Sequence, residues 1–352
     1  MGRDDRGRLL TGPRRRSLKR DWDESDVRVR AGRRGSRPRT KIRPDHDDAH
    51  EAMVISKDRG RWGCALGGDP DRIVVAMRAR ELRRTSVEVG DRVDVVGDLS
   101  GTEGTLARIV RVHERDSVLR RTADDTDPYE RVVVANAEKL LIVVALADPP
   151  PRTGFVERAL VAAYVGGVEP VLCLTKSDLA DPAPFVAAFA DLDVPVVLGG
   201  QDDPLPPVAE LLGGRVSALI GHSGVGKSTL VNRLVPDADR ATGVVSGVGK
   251  GRHTSTQSVA LPLPGGGWVI DTPGVRSFGL AHIAPADVLG AFSDLSEIAA
   301  DCPRGCTHLG PPADPECAFD TLTGHGMRRA MAVRSLLAAL HTNDPWDQPA
   351  AE

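Results

Sequence analysis

The stretch that decides the fold of this chain is Gly221-His222-Ser223-Gly224-Val225-Gly226-Lys227-Ser228-Thr229. It follows an apolar run at residues 215–220 and leads into residues 230–234, which is the order of buried strand, glycine-rich loop and helix start. In that context the pattern Gly-x-x-x-x-Gly-Lys-Ser predicts a phosphate-binding loop. The glycines let successive backbone N–H groups face a phosphate, and the helix start adds positive potential. We therefore predict that all nine residues bind a nucleoside triphosphate.

Two side chains of this loop have predicted chemical roles. Lys227 is expected to reach the β- and γ-phosphates and to act in catalysis, and the Ser228 hydroxyl to ligate Mg²⁺. The alternative is a glycine-rich turn that carries a lysine by chance. The strand and helix patterns on either side disfavour that alternative.

Length and charge predict several domains and a basic arm. A chain of 352 residues is too long for one ordinary core. Residues 1–43 hold 16 Lys and Arg against 6 Asp and Glu, although the net charge of the whole chain is −3. We predict that residues 1–50 form a disordered arm. Two interpretations of the arm stay open: phosphate contacts with RNA, or a solubilising extension.

The sequence also indicates where the protein works. No apolar run approaches the roughly 20 residues that a membrane span requires, and no signal peptide precedes the body. Five cysteines, three of them near the C-terminus, do not form a secreted disulfide framework. We expect a cytoplasmic protein without membrane contact, and nothing in the sequence suggests more than a monomer. Cys64 and Cys173 are expected to be ordinary buried residues.

Short β-rich runs predict a small barrel over residues 51–122. They lie at residues 52–55, 72–76, 92–97 and 104–110, with turn residues between them. Four or five short strands in this length favour an OB-fold, a barrel that often binds nucleic acid. Only Trp62 offers a stacking ring. Most of any RNA affinity is therefore expected from four arginines, Arg78, Arg80, Arg83 and Arg84.

Residues 123–284 are predicted to form a doubly wound α/β domain. Continuous apolar runs at 139–146, 169–174 and 194–198 are typical of strands buried on both faces, and helical patterns at 155–164 and 185–189 lie between them. Such a domain binds its ligand at the carboxyl ends of its strands.

The run Thr175-Lys176-Ser177-Asp178 lies at one of those strand ends. It resembles the Asn-Lys-x-Asp element of GTPases, with Thr in place of Asn. The Asp178 carboxylate can accept hydrogen bonds from guanine N1–H and the 2-amino group, and adenine lacks both donors in that geometry. We predict that these four residues select guanine, and an ATPase would require Asp178 to be coincidental.

A second strand end carries Asp271-Thr272-Pro273-Gly274, of the form Asp-x-x-Gly. Asp271 is expected to hold Mg²⁺ through water, and the Gly274 N–H to bind the γ-phosphate. A polar loop at residues 249–256 supplies a further Mg²⁺ ligand, for which we favour Thr254 over Ser255 or Thr256. Its composition suits a switch that responds to the γ-phosphate.

Catalysis is predicted to depend on His253. Val275 stands where Ras-like enzymes carry the Gln that orients the attacking water, and Val cannot hydrogen-bond water. His253 is the nearest candidate for that task, and Arg252 could stabilise charge. The alternative is that both residues only shape the loop or contact RNA.

The order of these motifs predicts a circular permutation. The base motif near residue 175 precedes the phosphate loop at 221, which precedes the segments at 254 and 271. An ordinary GTPase has the base motif last. In this chain the second switch segment leads directly into the C-terminal domain.

Residues 285–352 are predicted to be a helical zinc-binding domain. Cys302, Cys306, His308 and Cys317 place three thiols and one imidazole within a short segment, and these are the ligands that tetrahedral Zn²⁺ prefers. The alternative is a set of buried cysteines beside a surface histidine. Helical patterns are expected near 286–297 and over 327–340.

Together these motifs resemble the circularly permuted GTPases that depend on the small ribosomal subunit, the RsgA (YjeQ) family. The resemblance covers residues 52–340 and is carried by Gly251-Arg252-His253-Thr254-Ser255-Thr256, by residues 271–274 and by the Cys and His set. It implies GTP hydrolysis stimulated by the small subunit, a role in late maturation of that subunit, and rRNA contacts by the barrel and the zinc domain. His253 matches the catalytic histidine proposed for that family.

Two features depart from the family pattern. The zinc ligands are separated by three, one and eight residues, where the family has four, one and five. The Ser-Ala loop that normally follows the base motif is replaced by Leu198-Gly199-Gly200-Gln201, which leaves guanine O6 without an assigned donor.

Two other functions stay open. One is a GTP-dependent RNA-binding scaffold with incidental slow turnover, and the other is a permuted GTPase of the large subunit.

Overall fold

The computed structural model describes residues 46–82, 85–122, 129–236, 258–272 and 279–340. Most of the predicted basic arm, residues 1–45, therefore lies outside the described residues.

The first strands close into a barrel. They are β1 (His50–Asp58), β2 (Arg61–Leu66), β3 (Ile73–Arg78), β4 (Arg92–Gly97) and β5 (Ala107–Val112). Their order is β1-β2-β3-β5-β4, and a pairing of β1 with β4 closes the sheet. Only the β3–β5 pair is parallel. The interior is filled by side chains such as Val54, Val93 and Ile109, none of them exposed to solvent. The OB-like barrel predicted from the sequence is confirmed.

The barrel corrects the expectation for Trp62. This residue lies on β2, which the short β-rich runs had not indicated because Gly63 and Cys64 break any alternation. The Trp62 ring is buried, and its Nε1 donates to the carbonyl oxygen of Val87 at 3.0 Å. It is a core residue and offers no stacking surface.

The four arginines from which RNA affinity was expected differ in their surroundings. The Arg78 guanidinium lies 5.8 Å from the centre of the Trp62 ring and donates to the carbonyl oxygen of Thr85 at 2.8 Å, whereas Arg80 is exposed. Arg83 and Arg84 lie outside the described residues.

A two-stranded antiparallel ribbon follows the barrel. Its strands are β6 (Val118–Arg121) and β7 (Arg131–Ala135), which the sequence patterns did not indicate. The predicted boundary between residues 122 and 123 lies between these two strands. The buried side chains of Leu119 and Val134 join the ribbon to the main core.

The second half of the sheet is largely parallel. Its strands are β8 (Lys139–Ala145), β9 (Glu169–Thr175), β10 (Val196–Leu198), β11 (Val216–Ile220), β12 (Val259–Pro262) and β13 (Trp268–Asp271). They are ordered β10-β9-β8-β11-β13-β12, and β12 runs antiparallel to β13. A pairing of Val259 with Ser56 on β1 makes this sheet continuous with the barrel.

Helices cover both faces of the parallel strands. They are α1 (Thr153–Val165), α2 (Ala183–Ala187), α3 (Pro206–Leu212), α4 (Lys227–Leu234), α5 (Pro285–Gly290), α6 (Ser293–Ala299) and α7 (Gly324–Ala339). The alternation along β8 shows the two layers: Leu141 and Val143 pack with α3 and α4, whereas Leu140 and Ile142 pack with α1 and the C-terminal helices. Every residue of β8 is buried, as a strand covered on both faces requires. The doubly wound α/β fold is confirmed.

The C-terminal helices pack against α1. Arg158 of α1 is only 2% exposed, and its Nη1 donates to the carbonyl oxygen of Ala339, at the end of α7, at 2.6 Å. Arg329 of α7 forms ion pairs at 2.7 Å with both Asp193 and Asp294. Within the described ranges, no helix combines the length and the apolar character that crossing a bilayer requires.

Candidate nucleotide-binding and metal sites

Three predicted site segments meet at one edge of the parallel sheet. Thr175 ends β9, Gly221 follows β11 and Asp271 ends β13. The strand registers align them, because Thr175 pairs with Ala145 and Asp271 pairs with Leu219. Since the carboxyl ends of parallel strands share one edge, residues that are far apart in the sequence form one site.

The phosphate loop has the backbone that its glycines predict. A Cβ on Gly221 would lie 2.4 Å from the carbonyl oxygen of Val143, so no larger residue fits there. Gly226 has φ +97° immediately before α4, a conformation that L side chains rarely adopt. The buried Val225 side chain anchors the loop in the core, whereas four loop positions are exposed: Ser223, Gly224, Ser228 and Thr229.

Lys227 lies at the start of α4 and turns back over the loop. Its Nζ contacts the carbonyl oxygen of Gly221 and donates to that of His222 at 2.8 Å. Burial lowers the pKa of Lys227, and the nearby Asp271 carboxylate opposes that shift. The His222 ring packs against Phe155 of α1, with ring centres 4.4 Å apart.

Asp271 is a partly buried carboxylate. Burial raises its pKa, while Lys227 and the Thr272 N–H lower it. Its Oδ1 atom is buried and has no hydrogen-bond partner among the described residues. A buried carboxylate oxygen without a partner is costly, and a hard cation or a cation-bound water would satisfy it. Asp271 therefore fits the predicted magnesium site.

The base motif is tied to the phosphate loop through Thr175. This side chain is 2% exposed, and its Oγ1 donates to the carbonyl oxygen of Val225 at 2.6 Å. The hydroxyl that replaces the usual amide thus joins two of the three segments. Lys176 Nζ contacts the carbonyl oxygen of Asp148, Ser177 is partly buried, and Asp178 is exposed at the rim.

Several predicted site residues cannot be compared with the structure. His253, Thr254 and Gly274 lie outside the described residues. The same holds for the neighbouring candidates Arg252, Ser255, Thr256 and Val275.

The four predicted metal ligands converge between α6 and α7. His308 Nδ1 lies 3.4 Å from Cys302 Sγ, 3.6 Å from Cys306 Sγ and 4.0 Å from Cys317 Sγ. All four ligand atoms lie within 4.8 Å of one another. Burial and the neighbouring thiols of Cys317 and Cys302 raise the pKa of the Cys306 thiol to about 12. Three thiols and one imidazole whose ligand atoms lie this close together could hold a metal ion.

Two further residues hold this cluster in shape, and the sequence motifs did not identify them. The Asp314 carboxylate accepts hydrogen bonds from the N–H groups of Thr307 and Leu309, at 2.9 and 3.0 Å, on either side of His308. Arg334 of α7 donates to the His308 carbonyl oxygen at 3.0 Å and pairs with Asp320 at 2.9 Å. The interval between His308 and Cys317 is longer than in the family pattern. It contains Asp314, which stabilises the turn that carries His308.

Comparison with known proteins agrees with this architecture. A sequence model of the RsgA GTPase family matches residues 112–281. A protein of Alcanivorax borkumensis named small ribosomal subunit biogenesis GTPase RsgA is 34% identical over 310 residues, covering 84% of this chain and 85% of that relative. The chain belongs to the RsgA GTPase family. A second protein with that name, from Chlorobaculum parvum, is 36% identical over 269 residues, covering 73% of this chain and 86% of its own length.

Two solved structures share the fold. YjeQ from Thermotoga maritima superposes with a TM-score of 0.62 at 23% identity, covering 84% of this chain and all of that chain. YloQ, described as a circularly permuted GTPase, gives a TM-score of 0.58 at 21% identity and covers 84% of this chain and 96% of its own. The permuted order predicted from the motifs is therefore the order of the fold.

Proposed function

We propose that this chain hydrolyses GTP to GDP and phosphate, and that the small ribosomal subunit stimulates the reaction. The observation that carries the proposal is the meeting of Thr175–Asp178, Gly221–Thr229 and Asp271 at one sheet edge in a member of the RsgA GTPase family. The names of the relatives support the ribosomal part, since they are small ribosomal subunit biogenesis GTPases.

Each segment has one task in this proposal. The loop N–H groups and Lys227 hold the phosphates, and the Asp178 carboxylate accepts from guanine. Mg²⁺ would be held by Ser228, Asp271 and Thr254, and when bound it neutralises charge on the phosphates. The Gly274 N–H would bind the γ-phosphate and His253 would orient the attacking water.

Zinc is the metal that we propose for the Cys and His cluster. With Zn–S near 2.3 Å and Zn–N near 2.0 Å, a tetrahedral site separates nitrogen from sulfur by about 3.5 Å. The distances of 3.4, 3.6 and 4.0 Å from His308 Nδ1 support that assignment. Four protein ligands leave no open position, so the ion would be structural.

We also propose that the barrel and the zinc domain contact rRNA, and that the protein acts in late maturation of the small subunit. Exposed arginines of the barrel could neutralise phosphates without reading sequence: Arg59, Arg61, Arg72, Arg80 and Arg108. We further propose a cytoplasmic monomer, with domains at 51–122, 123–284 and 285–352 after the arm of residues 1–50. A GTP-dependent scaffold and a GTPase of the large subunit are the alternatives.

Turnover with purified subunits tests the proposal. GTP and ATP hydrolysis would be measured alone, with small subunits and with large subunits, at two salt concentrations. We expect GTP hydrolysis to rise only with small subunits and the stimulation to weaken with salt. Lys227→Met should abolish GTP hydrolysis. Lys57→Met, which alters a barrel lysine paired with Glu88, should leave it unchanged. GTP binding without stimulation by either subunit would favour the scaffold, and stimulation by the large subunit would favour the other alternative.

A further inference from the structure

The described structure suggests how guanine O6 is recognised in a chain without the usual Ser-Ala loop. Guanine carries an acceptor at position 6, where adenine carries an amino donor. A backbone N–H that meets this position therefore favours guanine and repels adenine. The residues that follow β10 in this chain are Gly199-Gly200-Gln201-Asp202-Asp203.

This segment lies directly beside the base motif. Because β10 pairs in parallel with β9, with Leu198 opposite Leu174, both strands end at the same edge. The Gly199 N–H donates to the Leu174 carbonyl oxygen at 2.8 Å. A Cβ on Gly200 would lie 3.1 Å from the Lys176 nitrogen, so the two segments are in close contact.

One carboxylate joins the segment to the motif. Asp203 Oδ2 accepts from the Gly200 N–H at 2.7 Å, and Asp203 Oδ1 accepts from the Ser177 hydroxyl at 2.7 Å. Both oxygens are thus used to hold a turn from Gly200 to Asp203 against the residue that precedes Asp178.

The helix of the phosphate loop holds the other side of the turn. Arg233 of α4 contacts the carbonyl oxygen of Gly200 and donates to that of Asp203 at 2.7 Å. The turn is therefore fixed between the base motif and the phosphate-binding helix, although it carries no side chain typical of guanine recognition.

These bonds leave the tip of the turn available. The Gly200 N–H is occupied by Asp203, whereas the N–H groups of Gln201 and Asp202, both exposed, have no acceptor among the described residues. We infer that Asp203 is a positioning residue for guanine, which holds this turn so that an N–H at its tip donates to O6. The inference rests on the proposed guanine-nucleotide function.

Nucleotides that differ at single positions of the base provide the test. Affinities for GDP, 6-thio-GDP and IDP would be measured by calorimetry at pH 7. 6-thio-GDP replaces only O6, by the weaker acceptor sulfur, and IDP lacks only the 2-amino group that Asp178 is expected to bind. For one neutral hydrogen bond, we expect the unaltered protein to prefer GDP over 6-thio-GDP by about 3- to 10-fold.

Asp203→Ala should reduce the preference for GDP over 6-thio-GDP towards 1, while the preference for GDP over IDP stays unchanged. Asp203→Asn retains one acceptor oxygen and should give an intermediate value. Glu210→Ala removes an exposed carboxylate on α3 and should match the unaltered protein. Ser177→Ala removes only one of the two bonds, so it tests the inference even if Asp203→Ala fails to fold.

The outcomes separate the inference from the proposed function. If Asp203→Ala and Ser177→Ala both keep the original preference for GDP over 6-thio-GDP, the positioning role is wrong. If the preferences for GDP over 6-thio-GDP and for GDP over IDP fall equally in Asp203→Ala, Asp203 supports the whole pocket and the specific role at O6 is overturned. If the unaltered protein does not bind GDP, the proposed function itself fails.

Discussion

The proposed nucleotide site draws on residues from Thr175 to Asp271, whereas the four metal-ligand candidates all lie between Cys302 and Cys317. In the first case the sheet brings distant segments together, and buried contacts such as that of Thr175 with Val225 fix their geometry. In the second case the ligands lie in a segment of turns, supported locally by Asp314 and by Arg334 of α7. The fold thus brings together the segments of the proposed nucleotide site, whereas a bound metal would stabilise the local fold around the cluster.

Removing the metal should have the largest effect and should separate the two sites. Cys317→Ser, or treatment with a strong chelator, should destabilise residues 302–317 by at least about 4 kcal/mol, since structural Zn²⁺ supplies about 10–16 kcal/mol in zinc-finger peptides. Hydrogen exchange would report the loss of protection there. We expect GDP affinity to change by less than about 3-fold, because the buried side chains of α3 and α4 belong to a core cluster that contains none of the four metal-ligand candidates. An equal loss at both sites would show that the cluster supports the whole domain.

The buried Arg158 of α1 should have the next largest effect. It joins α1, which packs against the phosphate loop, to α7, which supports the metal cluster. Arg158→Met keeps much of the side-chain volume but removes the donor to the Ala339 carbonyl oxygen. We expect the free energy of unfolding to fall by about 1–3 kcal/mol, with the protection of α7 reduced most.

The matched control is Arg328→Met. Arg328 is 60% exposed and pairs with Asp191 at 3.2 Å, so its change should stay below about 1 kcal/mol. A loss as large as that of Arg158→Met would show that this surface ion pair holds α7 as strongly as the buried arginine does.

A pair of threonine variants should give the smallest and most local contrast. Thr175→Val removes a buried hydroxyl that joins the base motif to the phosphate loop, so it should cost about 1–3 kcal/mol and weaken GDP binding. Thr307→Val removes an exposed hydroxyl bonded to Asp314 at 2.5 Å and should cost less than about 1 kcal/mol, without changing GDP binding. Chemical denaturation and calorimetry would measure both. Weaker GDP binding in Thr307→Val would contradict the separation of the two sites.

The same contrast explains what the sequence could and could not predict. The phosphate loop, the base motif and the Cys and His set are short patterns, and each was recognised from residue types and spacing. Contacts between distant segments leave little local signal, so the Thr175–Val225 bond and the Arg158–Ala339 bond were not foreseen. Asp203 offered a weak signal, since Asp near glycines is typical of turns.

The other differences between the sequence predictions and the structure concern which residues are buried. Trp62 was expected to be a stacking ring because exposure cannot be deduced from an isolated tryptophan, and the structure buries it in the barrel. Strand β2 and the ribbon of β6 and β7 lack the regular alternation that marks a half-buried strand, so they were not indicated. Their pairing partners, and not their own periodicity, define them.

Competition between GDP and ADP tests the central claim most directly. Calorimetric titration of the nucleotide-free protein should show GDP preferred by at least about 100-fold, because a carboxylate built to pair with guanine rejects a base that lacks those donors. Asp178→Asn should remove most of that preference while the phosphate loop still binds both nucleotides. Equal affinity for GDP and ADP in the unaltered protein would contradict the account, because the base motif would then not select guanine.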